Sequence, residues 1–313
     1  MEKTYLGIDT SNYTTSAALC GKITFNGKML LPVEEGKVGL RQSEAVFHHV
    51  KQLPSLVEDA FAKLGSEKIS AIGVSDRPRS NKESYMPCFL AGDGAATMLA
   101  AALNVPLYKF SHQQGHIAAA LHSTGNIDII KDNFIAFHIS GGTTEALMVA
   151  PDEEKLPQCT AVASTLDLKA GQAIDRIGVM LGLPFPAGKY VDELSKKSTQ
   201  DFKIRPSMIS NNFSLSGVQN RCEAMFEAGV PHEDIAKFVL MSVITSIDAC
   251  LEKLLSDYGK NLPIVFSGGV SSNSLMREYM VSKYGAIFTQ PQYASDNAYG
   301  TAVLTAIKSG ELI

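Results

Sequence analysis

A chain of 313 residues, 45% apolar and 19% charged, has material for two globular cores rather than one small module. Its net charge of -4 argues against broad capture of phosphate backbones, so nucleic acid would be met through a local patch or a partner. Five scattered cysteines without Cys-x-x-Cys argue against a disulfide framework or a thiolate zinc site, and Gly92, Asp93, Gly94 and Pro106 interrupt the greasiest stretch; a cytoplasmic protein that neither spans a membrane nor is exported is predicted.

Tyr5 to Asp9 and Thr14 to Cys20 are β-favouring runs around the polar turn Thr10 to Tyr13, which predicts a hairpin. Helical stretches follow at Gln42 to Leu64 and Gly92 to Leu103, with a strand at Ala71 to Val74 between them. His112-Gln113-Gln114-Gly115-His116 then opens the apolar helical run Ile117 to Leu121. The opening grammar returns as strand Phe134 to Ile139, polar turn Ser140 to Thr144 and strand Glu145 to Ala150. Helices are predicted at Asp167 to Leu183, Val218 to Ala228, Ile235 to Tyr258 and Ala298 to Ser309, with a strand at Leu262 to Phe266. Two copies of the same grammar predict an α/β chain of two related lobes with a ligand cleft between them: 1–110, with 294–313 packing back on it, and 111–293.

The chemistry is concentrated in a few places. Imidazoles at i and i+4 lie on one helix face, so His112 and His116 can share one metal; packing or capping histidines are the alternative. Gln113 stands where His-Glu-x-x-His would carry a general base, which disfavours zinc peptidase chemistry. His138 is a candidate third ligand or a satisfied core histidine, and Asp296 either a carboxylate ligand or a helix N-cap. Such a set suits one divalent ion, iron or zinc, with an open position. Three small-residue turns, Asp9-Thr10-Ser11, Ser140-Gly141-Gly142-Thr143 and Gly268-Gly269 to Asn273, offer backbone amides to an anion, as nucleotide folds with phosphate between two hairpins do. Asp175 and Asp192 can reach ribose hydroxyls or be solvated helix charges. Neither Gly-x-Gly-x-x-Gly nor Gly-x-x-x-x-Gly-Lys-Ser/Thr occurs.

Taken in order, Gly7-Ile8-Asp9-Thr10-Ser11, His112-x-x-Gly-His116, Ile139-Ser140-Gly141-Gly142-Thr143-Thr144, Gly171 to Arg176, Phe213 to Gly217, Ser267 to Ser274 and Ser295-Asp296-Asn297 resemble the signature of the TsaD (YgjD) family over nearly the whole chain. The resemblance implies an actin-like (ASKHA) fold and transfer of threonylcarbamoyl from threonylcarbamoyl-AMP to N6 of adenosine 37 in ANN-decoding tRNA. It implies His112, His116 and Asp296 as metal ligands, with His138 at the position of the archaeal members' tyrosine ligand. Adenylate contacts carry over to the Ser140-Gly141-Gly142 turn, Asp175, Gly188, Asp192 and Asn273. It also implies tRNA and helper subunits of the TsaB and TsaE type as partners, no membrane, and is compatible with a dimer. The family's older description as a glycoprotease does not carry over, since the base beside His112 is missing.

Several positions depart from the family pattern. The Gly-Pro-Gly-rich segment is Ser75-Asp76-Arg77-Pro78-Arg79-Ser80, an acidic pair is Asn12-Tyr13-Thr14, and Gln114, Gln172 and Gln219 replace Glu, Glu and Lys. These changes leave the ligand set and remove carboxylates. They keep two alternatives open: a paralogous carbamoyl- or acyl-adenylate transferase with another acceptor, and a non-catalytic nucleotide-binding partner protein.

Overall fold

A computed structural model describes residues 2–11, 13–32, 40–81, 84–295 and 297–311. In chain order these form β1 (Thr4–Ser11), β2 (Thr14–Gly21), β3 (Phe25–Leu30), α1 (Gln42–Leu64), β4 (Ile69–Arg77), α2 (Phe89–Leu103), β5 (Leu107–Ser111) and α3 (His112–Ser123). There follow β6 (Phe134–Ile139), β7 (Thr144–Pro151), β8 (Pro157–Ser164), α4 (Ala170–Met180), α5 (Gly188–Ser195), β9 (Ser207–Ile209), β10 (Asn212–Ser214), α6 (Ser216–Glu227) and α7 (His232–Tyr258). The chain ends with β11 (Ile264–Ser267), α8 (Ser274–Tyr284), β12 (Ile287–Phe288), α9 (Pro291–Ala294) and α10 (Tyr299–Lys308).

The two main sheets repeat one plan. The first runs β3-β2-β1-β4-β5, and the second, from its other edge, β8-β7-β6-β11-β12. In each, a hairpin lays its first strand beside two later strands that run parallel to it. Parallel pairing requires a crossover, and the long helices supply it. The duplicated hairpins of the sequence are therefore duplicated sheets.

The chain divides into two compact units, 1–132 with 150–159 and 292–313, and 133–149 with 160–291. In the first, β1 is buried along its whole length and its two faces use alternate residues. Leu6 and Ile8 join a cluster with Leu53 of α1 and Ala96 of α2. On the other face Tyr5 packs with Ala306, and Gly7 lets the backbone of α10 come close enough that a Cβ there would meet Ala302 N at 2.5 Å. The second unit has the larger core, which joins Phe137 and Phe266 to α4, α7 and α8.

Local structure departs from expectation at three places. The boundary was predicted at 110, yet 111–132 lies in the first unit because α3 packs on α10, where a Cβ at Gly300 would collide with the Gly115 carbonyl. The helix predicted from Asp167 begins only at Ala170, since Asp167 turns its carboxylate to the amides of Leu168 and Leu215 and so belongs to a loop. Strands β3, β5, β8 and β12 carry weak alternation and were not legible; β3 is an edge strand whose residues are all partly or fully exposed.

Candidate functional site

In the first unit the site begins at the end of β1. Asp9 is 1% exposed, a burial that a carboxylate tolerates only when its oxygens are engaged. Ser11 N donates to Oδ1 at 3.0 Å, and Oδ2 lies 2.8 Å from His112 Nδ1. An ionised carboxylate only accepts, so Nδ1 of His112 carries the ring proton and Nε2 presents its lone pair. His116 stands one turn along α3, with its Nε2 2.9 Å from that of His112. The i, i+4 spacing has brought both nitrogens to one point.

The start of α3 explains its orientation. Ser111 and Gln114 form a capping box: Ser111 Oγ accepts from Gln114 N at 3.2 Å, and Gln114 Oε1 accepts from Ser111 N at 2.8 Å. Gln114 Nε2 also donates to the Pro157 carbonyl at 3.1 Å, which a glutamate could not do. Pro78 O accepts from Gln113 N at 3.1 Å, so part of the departing segment 75–80 closes the helix's first turn. Substitutions that looked like lost carboxylates thus serve the seating of the histidine helix. Similarly, Gln219 bridges Arg176 Nη1 at 3.0 Å and Glu223 Oε1 at 2.8 Å, whereas Gln172 is exposed on α4 and nothing in the structure explains it.

Two imidazole nitrogens facing each other fit a cation. Nitrogens each about 2.1 Å from one ion at a right angle stand about 3 Å apart, close to the spacing of this pair. Asp9 supplies the carboxylate that commonly orients such a ligand. Among the described residues no group of three or more His, Cys, Asp or Glu is arranged to hold a metal. Asp296 lies outside the described residues, as does Asn12.

In the second unit the sequence-predicted residues fall into two groups. Ser140 to Thr143 is a closed turn after β6, with Ser140 N donating to Thr143 O at 2.7 Å and Thr143 N to Ser140 Oγ at 3.0 Å. Gly268, at φ +90°, leads β11 into a short 3-10 turn, Gly269–Ser272, and its backbone lies against Ile139 because β11 and β6 are parallel neighbours. These turns emerge side by side at the carboxyl ends of adjacent strands, where open α/β sheets hold ligands. A Cβ at Gly141, Gly142, Gly188 or Gly269 would meet nothing within 4 Å. Their bare backbones face open space. At Gly171, by contrast, a Cβ would sit 2.7 Å from Gly141, so that glycine is needed for packing α4 onto the turn.

The carboxylates are more occupied than expected. Asp192 Oδ1 accepts from Asn273 Nδ2 and Ser274 Oγ, both at 2.9 Å, while Asn273 Oδ1 caps Met276 N at 2.9 Å. Asp192 and Asn273 therefore come together, and these hydrogen bonds brace the start of α8. Asp175 Oδ1 accepts from Ala187 N at 2.8 Å; burial raises its pKa, against the opposing amides of Ala187 and Gly188. Burial would also raise Asp167, but the hydrogen bonds of Ser216 and Leu215 outweigh it and hold the group low. His138 lies in this unit, with Nδ1 3.1 Å from Ser267 Oγ. Ser267 was not singled out by itself, although its parallel register with His138 is what a strand pairing between the two predicted strands would have shown.

No helix of the described residues is long and apolar enough to cross a membrane. Comparison with known proteins agrees with the motif order. The family model described as TsaD, tRNA N6-adenosine threonylcarbamoyltransferase, matches residues 33–303. A tRNA N6-adenosine threonylcarbamoyltransferase of Carboxydothermus hydrogenoformans is 29% identical over 318 residues, covering 95% of this chain and 90% of that one. One of Thermosipho africanus is 31% identical over 290 residues, covering 87% and 83%. Among solved structures, HypF of T. kodakarensis shares the fold with a TM-score of 0.63 at 14% identity; the likeness covers 99% of this chain and 48% of that one. The repeated sheet plan is thus the actin-like one. The chain belongs to the TsaD family of tRNA N6-adenosine threonylcarbamoyltransferases.

Proposed function

We propose that the protein transfers the threonylcarbamoyl group of threonylcarbamoyl-AMP to N6 of adenosine 37 in ANN-decoding tRNA. The observation that carries this reading, beside family membership, is the convergence of His112 Nε2 and His116 Nε2 at 2.9 Å with Asp9 behind His112. These two imidazoles would hold one divalent ion, iron or zinc, with His138 and Asp296 as the further ligands the resemblance implies. When bound, the ion supplies Lewis acidity to a carbonyl oxygen. In the reaction N6 attacks the carbamoyl carbon, a C–N bond forms, the C–O bond to phosphate breaks, AMP leaves and N6 gives up one proton. Asp9 keeps His112 in the tautomer that donates through Nε2. The bare backbone at Gly141, Gly142 and Gly269, where a Cβ would meet nothing within 4 Å, would bind phosphate oxygens and hold the leaving group in place, so that orientation rather than side-chain proton transfer carries the rate. Asp175 and Gly188 would contact the nucleoside, with Asp192 and Asn273 supporting them. Helper subunits would supply the basic surface that a chain of net charge -4 lacks.

The test is metal analysis of the purified protein together with transfer from threonylcarbamoyl-AMP to unmodified tRNA, with AMP release scored with and without RNA. His112→Ala is expected to lose both the metal and the transfer. Full transfer by that variant at unchanged metal content would overturn the reading, and AMP release that ignores tRNA would point to another acceptor.

A further inference from the structure

One polar row in the second sheet has no part in the assignments above except through His138. Parallel pairing sets Ser267 of β11 beside His138 of β6, and antiparallel pairing sets Glu145 of β7 on its other side. Partners in register project to the same face, so the three side chains stand in line across three strands. The preceding register, Phe137, Phe266 and Phe288, is a stack of rings on the opposite face, with centroids 5.1 and 4.7 Å apart, which locks the register of the polar row. Ser267 is 2% exposed and Glu145 8%, so water does not readily substitute for either.

The hydrogen bonds assign the protons. Ser267 Oγ lies 3.1 Å from His138 Nδ1 and donates to the Phe137 carbonyl at 3.3 Å. A hydroxyl has one proton. With that proton on the carbonyl, Oγ can only accept from the ring, so Nδ1 is protonated and Nε2 keeps its lone pair. The reverse assignment leaves two oxygens facing each other without a proton between them. His112 shows the same device with a different partner, its Nδ1 proton held by the Asp9 carboxylate.

We infer that Ser267 is a positioning residue that holds His138 in its Nδ1–H tautomer and so leaves Nε2 as an electron-pair donor for a divalent cation, with Glu145 beside it in the same row. This rests on His138 being a ligand, and the experiment separates the two claims. In the full-length protein labelled with 15N-histidine, the His138 signals are assigned by their loss in His138→Gln, and zinc affinity is measured on the same samples. The wild type and Ser267→Thr, which keeps the hydroxyl, are expected to show the Nδ1–H tautomer. Ser267→Ala is expected to populate Nε2–H and to bind zinc about 10- to 100-fold more weakly, the usual effect of removing an outer-shell partner. An unchanged tautomer in Ser267→Ala overturns the role of Ser267; a shifted tautomer with unchanged zinc affinity overturns His138 as a ligand and with it the donor role. Should Ser267→Ala not fold, Ser267→Cys, close in size and a poorer acceptor, gives the same readout.

Discussion

The β1–β2 hairpin of the first unit and the β6–β7 hairpin of the second occupy equivalent places in their sheets but differ in what they present. The first engages buried side chains: Asp9 against His112 on one face, and Thr15 against His49 and Gln52 on the other. The second ends in bare backbone, where a Cβ at Gly141 or Gly142 would meet nothing within 4 Å and Thr143 folds back on Ser140. A strand end buried under helices can orient a ligand only with a side chain, because its amides are already paired. One that ends at an exposed turn keeps amides to offer, provided no side chain stands in front of them. The two sheets therefore share a plan and divide in what their turns present.

Four changes test that division. The largest effect is expected at Gly300, whose Cβ would collide with the Gly115 carbonyl. Glycine to alanine inside a helix ordinarily stabilises by about 0.5–1 kcal/mol, whereas Gly300→Ala should destabilise by about 4 kcal/mol, read by urea unfolding. A stabilised variant would show that α3 is not held by this approach. Next, Asp9→Asn should weaken metal binding about 10- to 100-fold, or about 1.4–2.7 kcal/mol, with little change in Tm, read by competition with a chelating dye. If affinity holds, the first hairpin does not orient His112.

A smaller effect concerns pH. Gln52 Nε2 donates to Leu30 O, so its Oε1 accepts from Thr15 Oγ1, which must then accept from His49 Nδ1. Burial lowers the His49 pKa to about 4, against the opposing pull of Asp9. The unfolded chain, at about 6.5, binds more protons between these values, so this contribution is complete above about pH 6.5 and is lost as pH falls towards 4. Stability at pH 7 minus stability at pH 4.5 should be larger in the wild type than in His49→Gln by on the order of 1–2 kcal/mol. Equal differences would remove the buried histidine from the account. Last, Gly142→Ala should change stability by less than about 0.5 kcal/mol while weakening AMP binding about tenfold, read by calorimetry. Lost stability with intact binding would make that glycine a folding residue after all.

Much of this was legible in the residues. Helix α1 was expected at the limits observed, and the hairpins were visible because apolar alternation and turn chemistry are local. The pairing of His112 with His116 was equally local, being a consequence of helical spacing. Edge strands such as β3 and the two-residue β12 carry too little pattern to be seen. Gln114 was read as a missing carboxylate although its capping partner Ser111 stands only three residues before it; the Pro157 carbonyl it also reaches is not written nearby.

Sequence alone determined the two main hairpins and most of the long helices, that the plan occurs twice, and that two imidazoles share one helix face, because each depends on periods of two to four residues. Tertiary structure decided that Asp9 meets His112 across 103 residues, that Asp192 and Asn273 brace one helix start across 81, and that α3 belongs with the first unit. Those outcomes depend on strand register and on how closely two backbones can approach, quantities that exist only once distant segments have packed.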